Sequence, residues 1–301
     1  MSVDDQRAGY QNRRSVVDGD TYIGRDDPGE AERLAAQALG GSGELRGALA
    51  QCQLPDRPRV LEIGCGSGAF TAELLHELPR ARITAVDLNA ALLEEARRRL
   101  GDAASARGPV RLARADAAAL PYAARVFDLV ACRCVLMHQV DAQVVAAEMH
   151  RVTAPGGWAL AIEPDWGARA LYPDPGALSE LLDLARRARP FGFPEPRMGS
   201  KLFAVLRAAG FVPVRVLATA FVETADDVAR ATGVDQAVEV FGPSRLLEQG
   251  RHMLRTAGLT TDDDLDALIE RLDAIPRARD YCSAGVDFAA VGEKPYPRPP
   301  G

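Results

Sequence analysis

Short apolar runs alternate with helix-like patterns along the first part of the chain. The runs are rich in β-branched and aliphatic residues, as expected of buried strands, and the segments between them carry apolar residues at helical spacing. Strands that alternate with helices favour a mostly parallel sheet covered on both faces, so we predict an α/β fold. Five runs are predicted to form strands: Arg59–Ile63, Ile83–Val86, Pro109–Ala115, Val126–Cys132 and Trp158–Ile162.

Helix boundaries follow from capping residues. Asn89 is predicted to cap a helix that runs to Leu100, and Asp141 to cap one that runs through His150. A tight turn is predicted at Ala154–Gly157. The other predicted helices are Ala69–Leu78, Gly176–Ala188, Ser200–Ala209, Ala225–Val240, Pro243–Ala257 and Thr261–Ala274, with Thr224 and Thr260 near candidate caps.

Two further segments complete the predicted organisation. A sixth strand is predicted over Val212–Val222, so residues 223–282 separate it from a last strand near the C-terminus. The proline-rich segment Lys294–Gly301 is predicted to be disordered. Before the first strand, Thr21–Leu39 is predicted to form a turn and then a helix, which Gly40–Gly43 ends.

The candidate binding site begins directly after the first strand. Gly64, Gly66 and Gly68 leave the backbone without a Cβ, so a ligand can approach it closely. Asp87 ends the second strand, where a carboxylate can accept both hydroxyl hydrogens of a ribose. Asp116 ends the third strand beside the same crevice and can accept the adenine amino hydrogens, with the Ala117 amide serving a ring nitrogen. The pattern predicts an adenosine-like ligand.

Two ligands fit this pattern. The stretch Gly64–Ala69 matches the dinucleotide motif G-x-G-x-x-G/A, with Asp87 at the expected distance, and it also matches the E-x-G-x-G-x-G turn that binds S-adenosylmethionine. The second is favoured because Gly68 stands one place too early for the dinucleotide pattern. Glu62 would also be costly beside a pyrophosphate, whereas it suits the ammonium group of a methionine.

Composition narrows the function class. A hydrophobic content of 47% supports a real core, and the formal net charge of −6 argues against nucleic acid and anionic membrane surfaces. No apolar run reaches membrane-spanning length, and the polar N-terminus lacks the apolar core of a signal peptide. The five cysteines include no C-x-x-C pair and there are four histidines, so we predict no metal site. Free thiols indicate a cytoplasmic protein.

Ordered motifs extend this pattern across residues 22–166. They are VLEIGCGSG, VDLN, RADAAALP, FDLV, VLMH and PGGWALAIEPD, and together they resemble the class I S-adenosylmethionine-dependent methyltransferases, close to the ubiquinone/menaquinone-type group that acts on small molecules. The resemblance implies a Rossmann-like fold with a seven-stranded, mostly parallel sheet and an antiparallel last strand. It further implies S-adenosylmethionine as the cofactor, with S-adenosylhomocysteine as the product.

The resemblance also suggests a division of the chain. Residues 1–45 would form an N-terminal helical lid and residues 46–222 the cofactor-binding core. Residues 223–282, absent from a minimal member, would be a helical insertion that forms a substrate pocket or an oligomer face. Residues 283–301 would hold the last strand and the disordered tail.

Three side chains are candidates for catalysis. His138 has the best intrinsic pKa for a general base, and Glu163 and Asp165 follow the fifth strand, where they could instead hold a substrate amine or cap a turn. Arg133 could lie beside the cofactor or form a surface ion pair, and Tyr22 could contact the methionine end or pack beneath its helix. The predicted cofactor-binding residues are Tyr22, Glu62, Gly64, Cys65, Gly66, Gly68, Asp87, Leu88, Asp116, Ala117, Arg133 and His138.

The methyl acceptor is predicted to be a small molecule. Methyltransferases of nucleic acids and protein amides commonly carry an N/D-P-P-Y/F tetrad after the fourth strand, and this chain has Cys132–Met137 there. Aromatic residues suggest a partly apolar or aromatic acceptor: Trp166, Tyr172, Phe191 and Phe193. Two alternatives stay open, an NAD(P)-dependent oxidoreductase and a protein of this fold that binds S-adenosylmethionine without transferring a methyl group. A homo-oligomer is also possible.

Overall fold

Alternating strand and helix patterns produce a sheet that is parallel over most of its width. The computed structural model describes residues 42–105, 108–174, 176–231 and 243–297. Within them the strands are β1 Arg59–Ile63, β2 Arg82–Asp87, β3 Val110–Arg114, β4 Phe127–Arg133, β5 Thr153–Pro164, β6 Ala170–Tyr172, β7 Val214–Thr224 and β8 Cys282–Glu293. Hydrogen bonds connect them in the order β3-β2-β1-β4-β5-β8-β6, and β7 also pairs with β8.

Strand directions agree with the predicted fold class. The pairs β1–β2, β1–β4, β2–β3 and β4–β5 are parallel, whereas β8 runs antiparallel to β5. The short strand β6, which pairs antiparallel with Cys282–Ala284, was not predicted. The turn predicted at Ala154–Gly157 is wrong, because these residues belong to β5. A register shift between Phe127 and Leu129, with Gly156 at φ +76°, accommodates them.

The chain divides into two units. The sheet unit comprises residues 42–164, 198–219 and 287–297, and the helical unit comprises residues 165–197 and 220–286. The helices of the sheet unit are α1 Ser42–Leu49, α2 Ala69–Glu77, α3 Ala90–Leu100, α4 Ala142–Val152 and α6 Met198–Ala208. Those of the helical unit are α5 Ala177–Ala188, α7 Ala225–Ala231, α8 Pro243–Thr256 and α9 Asp262–Ala274.

The side-chain alternation of the strands separates the sheet unit into two apolar cores. Leu61, Ile63 and Cys132 pack on one face with residues of α4 and α6, and Val60 and Ala131 pack on the other with residues of α1 and α2. Because helices cover both faces of the sheet, polar side chains that could bind a ligand are accessible only at the ends of the central strands. This arrangement directs attention to the carboxyl edge of the sheet.

The insertion is helical where the structure describes it, as predicted, and the helical unit has an apolar core of its own. Its buried residues include Leu181, Phe193, Leu247 and Leu268, from several of its segments. Helix α7 is described to Ala231, and the rest of the segment predicted as a helix to Val240 lies outside the described residues. The role predicted for residues 223–282, a substrate pocket or an oligomer face, stays a prediction.

Caps and tails were predicted with mixed success. Asn89 accepts hydrogen bonds from the Ala91 and Leu92 amides, and Asp141 accepts one from Gln143, as predicted. The cap of α9 is Thr261, not Thr260. Disorder from Lys294 onwards is wrong at its first residue, since Lys294 is buried and its Nζ donates to backbone carbonyls of His150 and Thr153.

Candidate functional site

The glycine turn between β1 and α2 has the geometry that only glycine adopts easily. Gly64, Gly66 and Gly68 all have positive φ, at +68°, +51° and +78°. A Cβ on Gly64 would lie 2.4 Å from Cγ2 of Val135, so a side chain would collide there. Cys65 is buried, and its amide donates to the Val86 carbonyl, which ties the turn to β2. Both the backbone conformation and the contact with Val135 therefore require glycine in this turn.

Asp87 connects this turn to the end of β2. Its Oδ2 accepts a hydrogen bond from the Gly66 amide at 2.8 Å, and its Oδ1 accepts one from the Asn89 amide at 2.8 Å. Burial raises the pKa of Asp87, and these backbone donors oppose the shift. The carboxylate thus orients the glycine turn, and each of its oxygens has further lone pairs to accept ligand hydroxyls.

The ends of β2 and β3 place the other predicted nucleoside contacts on neighbouring strands. Leu88 is half-buried, and its carbonyl accepts a hydrogen bond from Arg114 Nε. Asp116 is half-buried, and its Oδ1 accepts a hydrogen bond from the Ala118 amide at 2.8 Å. This bond shapes the turn that contains Ala117. Since β2 and β3 are parallel and adjacent, Asp87 and Asp116 both follow carboxyl ends of the sheet. Their arrangement fits a nucleoside laid along this edge.

Glu62 is the most unusual side chain of the site. It is fully buried near the end of β1, and neither carboxyl oxygen makes a hydrogen bond of good geometry within the described residues, although the Thr71 hydroxyl lies close enough to influence it. Burial raises its pKa to about 8, and the nearby Thr71 hydroxyl and Arg133 guanidinium oppose the shift only in part. A buried carboxylate without a donor is costly unless a ligand supplies one. The ammonium of a methionine group would do so.

Arg133, at the end of β4, forms a partly buried ion pair. Its Nη1 lies 2.8 Å from Oε1 of Glu73 on α2, and its guanidinium lies 4.4 Å from the centroid of the Phe70 ring. The side chains of Arg133 and Glu73 are 9% and 18% exposed, so the alternative of a surface ion pair is wrong. A direct contact between Arg133 and the cofactor stays a prediction.

Glu163, at the end of β5, is engaged with the loop that follows β4. Its Oε1 accepts hydrogen bonds from the Val135 and Leu136 amides at 2.9 Å and 2.7 Å. Burial raises the pKa of Glu163 to about 8, and the amides of Leu136, Val135 and Met137 oppose the shift. The same loop continues into a short 3₁₀ turn, Leu136–His138, so Glu163 and the candidate base His138 belong to one structural feature.

The remaining predicted site residues have different outcomes. His138 is half-buried, and its amide donates to the Val135 carbonyl. Asp165 is buried in the helical unit, where its Oδ1 accepts a hydrogen bond from the Gly167 amide and caps the 3₁₀ turn Trp166–Ala168. The predicted capping alternative placed the turn before Pro164, whereas this turn follows it. Tyr22 lies outside the described residues. Catalytic roles for His138, Glu163 and Asp165 stay predictions.

Sequence patterns did not indicate two acids and one apolar residue near this edge. Glu44 on α1 is buried, and burial together with Asp287 raises its pKa to about 7. Glu73 balances Arg133, and Val135 covers Gly64. Glu44 and Glu73 belong to none of the motifs, and Val135 opens the motif VLMH without any sign there of its contact with Gly64, because each of the three acts through a partner that is distant in sequence. The charge pattern around α2 could have suggested Glu73 but could not have chosen its partner.

The described residues fit an adenosyl cofactor with a cationic methionine end. The observations are the unsatisfied carboxylate of Glu62 and the bare backbone of Gly64. Among the residues that the structure describes, no group of three or more His, Cys, Asp or Glu side chains could hold a metal ion. Within those same ranges, no helix is long and apolar enough to span a membrane.

Comparison with known sequences agrees with this geometry. Residues 61–161 match the family described as "Methyltransferase domain". The demethylmenaquinone methyltransferase of Deinococcus radiodurans is 30% identical over 191 residues, which cover 64% of this chain and 73% of that protein. The malonyl-[acyl-carrier protein] O-methyltransferase of Halorhodospira halophila is 38% identical over 128 residues, covering 42% of this chain and 41% of the relative.

Solved structures share the fold at low sequence identity. The YcgJ protein of Bacillus subtilis aligns with a TM-score of 0.53 and 17% identity, covering 86% of this chain and all of that one. A phosphoethanolamine N-methyltransferase of Haemonchus contortus, in complex with phosphomonomethylethanolamine and S-adenosylhomocysteine, aligns with a TM-score of 0.51 and 19% identity. That alignment covers 84% of this chain and 53% of the nematode protein.

Proposed function

Because this chain belongs to the class I S-adenosylmethionine-dependent methyltransferases, we propose that it transfers a methyl group to a small, partly apolar or aromatic acceptor. S-adenosylmethionine is its cofactor. An NAD(P)-dependent oxidoreductase is not favoured, and neither is a protein that binds S-adenosylmethionine without methyl transfer. The observation that carries the proposal is the junction of β1 and β2, where Asp87 holds the Gly66 amide beside the unsatisfied carboxylate of Glu62.

We assign the cofactor contacts as follows. The Glu62 carboxylate receives the ammonium of the methionine group, which supplies well-placed charged donors to oxygens that make no hydrogen bond of good geometry within the described residues. Asp87 accepts the ribose hydroxyls, and Asp116 accepts the adenine amino hydrogens with the Ala117 amide beside them. S-adenosylmethionine, when bound, supplies an electrophilic methyl group on a sulfonium. The protein's contribution to rate is then mainly to orient the acceptor and to exclude water.

His138 is our candidate general base for a hydroxyl acceptor. It lies in the 3₁₀ turn that follows β4, and an imidazole has the intrinsic pKa to take the acceptor proton near neutral pH. General-base catalysis of this kind contributes about 10²–10⁴-fold. Replacement of His138 by Gln should therefore lower kcat by about 10²-fold or more and remove the acidic limb of the pH–rate profile, while S-adenosylhomocysteine still binds. Unchanged kcat would exclude His138 as the base.

The acceptor class rests on the relatives and on composition. The Deinococcus relative is named for demethylmenaquinone, which is consistent with an aromatic acceptor. Of the aromatic residues first considered, Phe193 is fully buried in the helical core and Tyr172 is 60% exposed. We therefore assign no acceptor contact to Phe193. Trp166, whose ring lies 5.4 Å from the Arg169 guanidinium, is the better candidate from the helical unit.

A screen of acceptors tests the proposal. The protein would be incubated with S-adenosylmethionine and separate panels of phenols and quinols, aliphatic amines, carboxylic acids, acyl-carrier proteins and RNA. Formation of S-adenosylhomocysteine and of a product heavier by one methylene is the readout, and Asp87→Ala is the negative control. We expect turnover in the aromatic panel. Turnover only with a carrier protein or RNA would overturn the acceptor class and leave methyl transfer intact.

We also propose that the protein acts in the cytoplasm. No disulfide joins the five cysteines, all of which lie among the described residues, and this is consistent with a reducing compartment. The net charge of −6 further supports a small acceptor over a nucleic acid. Cell fractionation with a tagged chain tests the location.

A further inference from the structure

We propose that Glu163 is a positioning residue for the cofactor site, acting through Val135 on the glycine turn. Glu163 lies in the last part of β5, and the turn follows β1, with β4 between these two strands in the sheet. Glu163 therefore needs an intermediary to influence the turn. The loop after β4 supplies it, because its backbone bonds to Glu163 and one of its side chains packs on Gly64. This inference rests on the proposed use of S-adenosylmethionine.

The loop after β4 forms a backbone nest around the carboxylate. Cys134 has φ +53°, a left-handed conformation that is uncommon outside glycine, and Val135 returns to the right-handed region at φ −110° and ψ −46°. This alternation turns successive N–H groups toward one point, where both can donate to a single carboxyl oxygen. The amides of Val135 and Leu136 both meet Oε1 of Glu163, at 2.9 Å and 2.7 Å. The hydrogen bonds to Glu163 therefore offset the cost of the left-handed conformation at Cys134.

Val135 transmits the position of the nest to the cofactor site. Its side chain is 9% exposed, and its Cγ2 occupies the space beside Gly64 where a Cβ would stand. Gly64 begins the turn whose Gly66 amide bonds to Asp87. A shift of Val135 would therefore change the packing that supports the glycine turn. The same loop carries His138, whose amide donates to the Val135 carbonyl, so both the cofactor turn and the candidate base depend on one anchor.

Four variants test this inference by calorimetric binding of S-adenosylhomocysteine to the full-length protein, and by amide hydrogen exchange of residues 134–138. Glu163→Leu removes the acceptor, and Glu163→Gln retains a carbonyl oxygen at the same place. Val135→Ala removes the packing on Gly64 and keeps the nest. Asp128→Leu is the control, because Asp128 also accepts a backbone amide, from Arg59 at 2.8 Å, at the opposite edge of the sheet.

The expected results distinguish positioning from general stabilisation. Glu163→Leu should weaken affinity by about tenfold or more and speed exchange of the Val135 and Leu136 amides, since both lose a buried acceptor. Glu163→Gln should stay within about threefold of the wild type. Val135→Ala should weaken affinity by about threefold to tenfold without faster exchange at those amides. Asp128→Leu should leave the affinity of the folded protein unchanged.

Two results would overturn the inference. One is unchanged affinity in a folded Glu163→Leu protein, which would limit Glu163 to a structural role. The other is unchanged affinity in Val135→Ala, which decides the question even where Glu163→Leu fails to fold. Failure of the wild-type protein to bind S-adenosylhomocysteine would instead refute the proposed function, so the two failures are distinguishable.

Discussion

Replacement of Gly64 by alanine tests the geometry of the glycine turn most sharply. At φ +68° an alanine pays about 1–2 kcal/mol for the left-handed backbone. Its Cβ would also stand 2.4 Å from Val135 Cγ2, and overpacking of this kind costs about 1–3 kcal/mol. The sum predicts that Gly64→Ala destabilises the sheet unit by about 2–5 kcal/mol.

The contribution of the collision can be separated from that of the backbone with a second substitution. Val135→Ala removes Cγ2, and the next atom, Val135 Cβ, lies 3.5 Å from the position of the new methyl group, an ordinary contact. The double variant should therefore be less destabilised than the sum of the single variants by about 1–3 kcal/mol. Gly101→Ala is the control. It carries a positive φ of +49° with nothing within 4 Å of its Cβ, so its effect should add to that of Val135→Ala.

The assay uses the two tryptophans of the chain. Trp158 is buried in the sheet unit and Trp166 lies in the helical unit, so urea unfolding followed by fluorescence in a Trp166→Phe background reports the sheet unit. Additivity of Gly64→Ala and Val135→Ala would refute the packing argument. A coupling of similar size between Gly101→Ala and Val135→Ala would show that the cycle measures something else.

Three further predictions concern buried charges. Lys294→Met should destabilise the sheet unit by about 2–3 kcal/mol in the same assay, because Nζ donates to carbonyls at the end of α4 at 2.6 Å and 2.8 Å. The exposed control Arg57→Met should change it by less than about 0.5 kcal/mol. Glu62 and Glu163 have folded-state pKa values of about 8, against an ordinary 4.5, so the folded state keeps protons that the unfolded chain releases. Stability should therefore fall as pH rises from about 5 to about 8, and Glu62→Gln should flatten this slope; a rising slope would contradict the assignment. Binding of S-adenosylhomocysteine near pH 7 should release a proton from Glu62, seen as a dependence of the calorimetric heat on the buffer's ionisation enthalpy that is smaller in Glu62→Gln.

Local sequence determined much of the fold. The strand β1, the glycine turn and the caps Asn89 and Asp141 each depend on residues within a few positions, so their patterns were sufficient. The antiparallel β8 was also predicted, although from resemblance to a family. The short β6 was not, because three residues are too few to show the alternation of a strand, and they pair only with β8.

The motifs of the site could be predicted from the sequence, but the contacts that hold these motifs in place could not. Glu62 stands just before the glycine turn and Asp87 ends the next strand, both at positions that the motif itself specifies, so their chemistry could be inferred. The Glu163–Val135 hydrogen bond joins residues on two different strand ends, and the Arg133–Glu73 pair joins a strand to a helix. Lys294 was assigned to a disordered tail because the residues after it are rich in proline, and the sequence gives no sign of the distant carbonyls to which its Nζ donates. Such contacts depend on topology, which a single sequence does not display.

The central claim is that the carboxyl ends of β2 and β3 hold an adenosyl cofactor through Asp87 and Asp116. Calorimetric titration of S-adenosylhomocysteine into the wild type, Asp87→Ala, Asp116→Ala and the exposed control Asp102→Ala measures it directly. We expect each site variant to lose about tenfold or more in affinity, since each removes charge-assisted hydrogen bonds, and the control to match the wild type. Wild-type affinity in both Asp87→Ala and Asp116→Ala would contradict the claim.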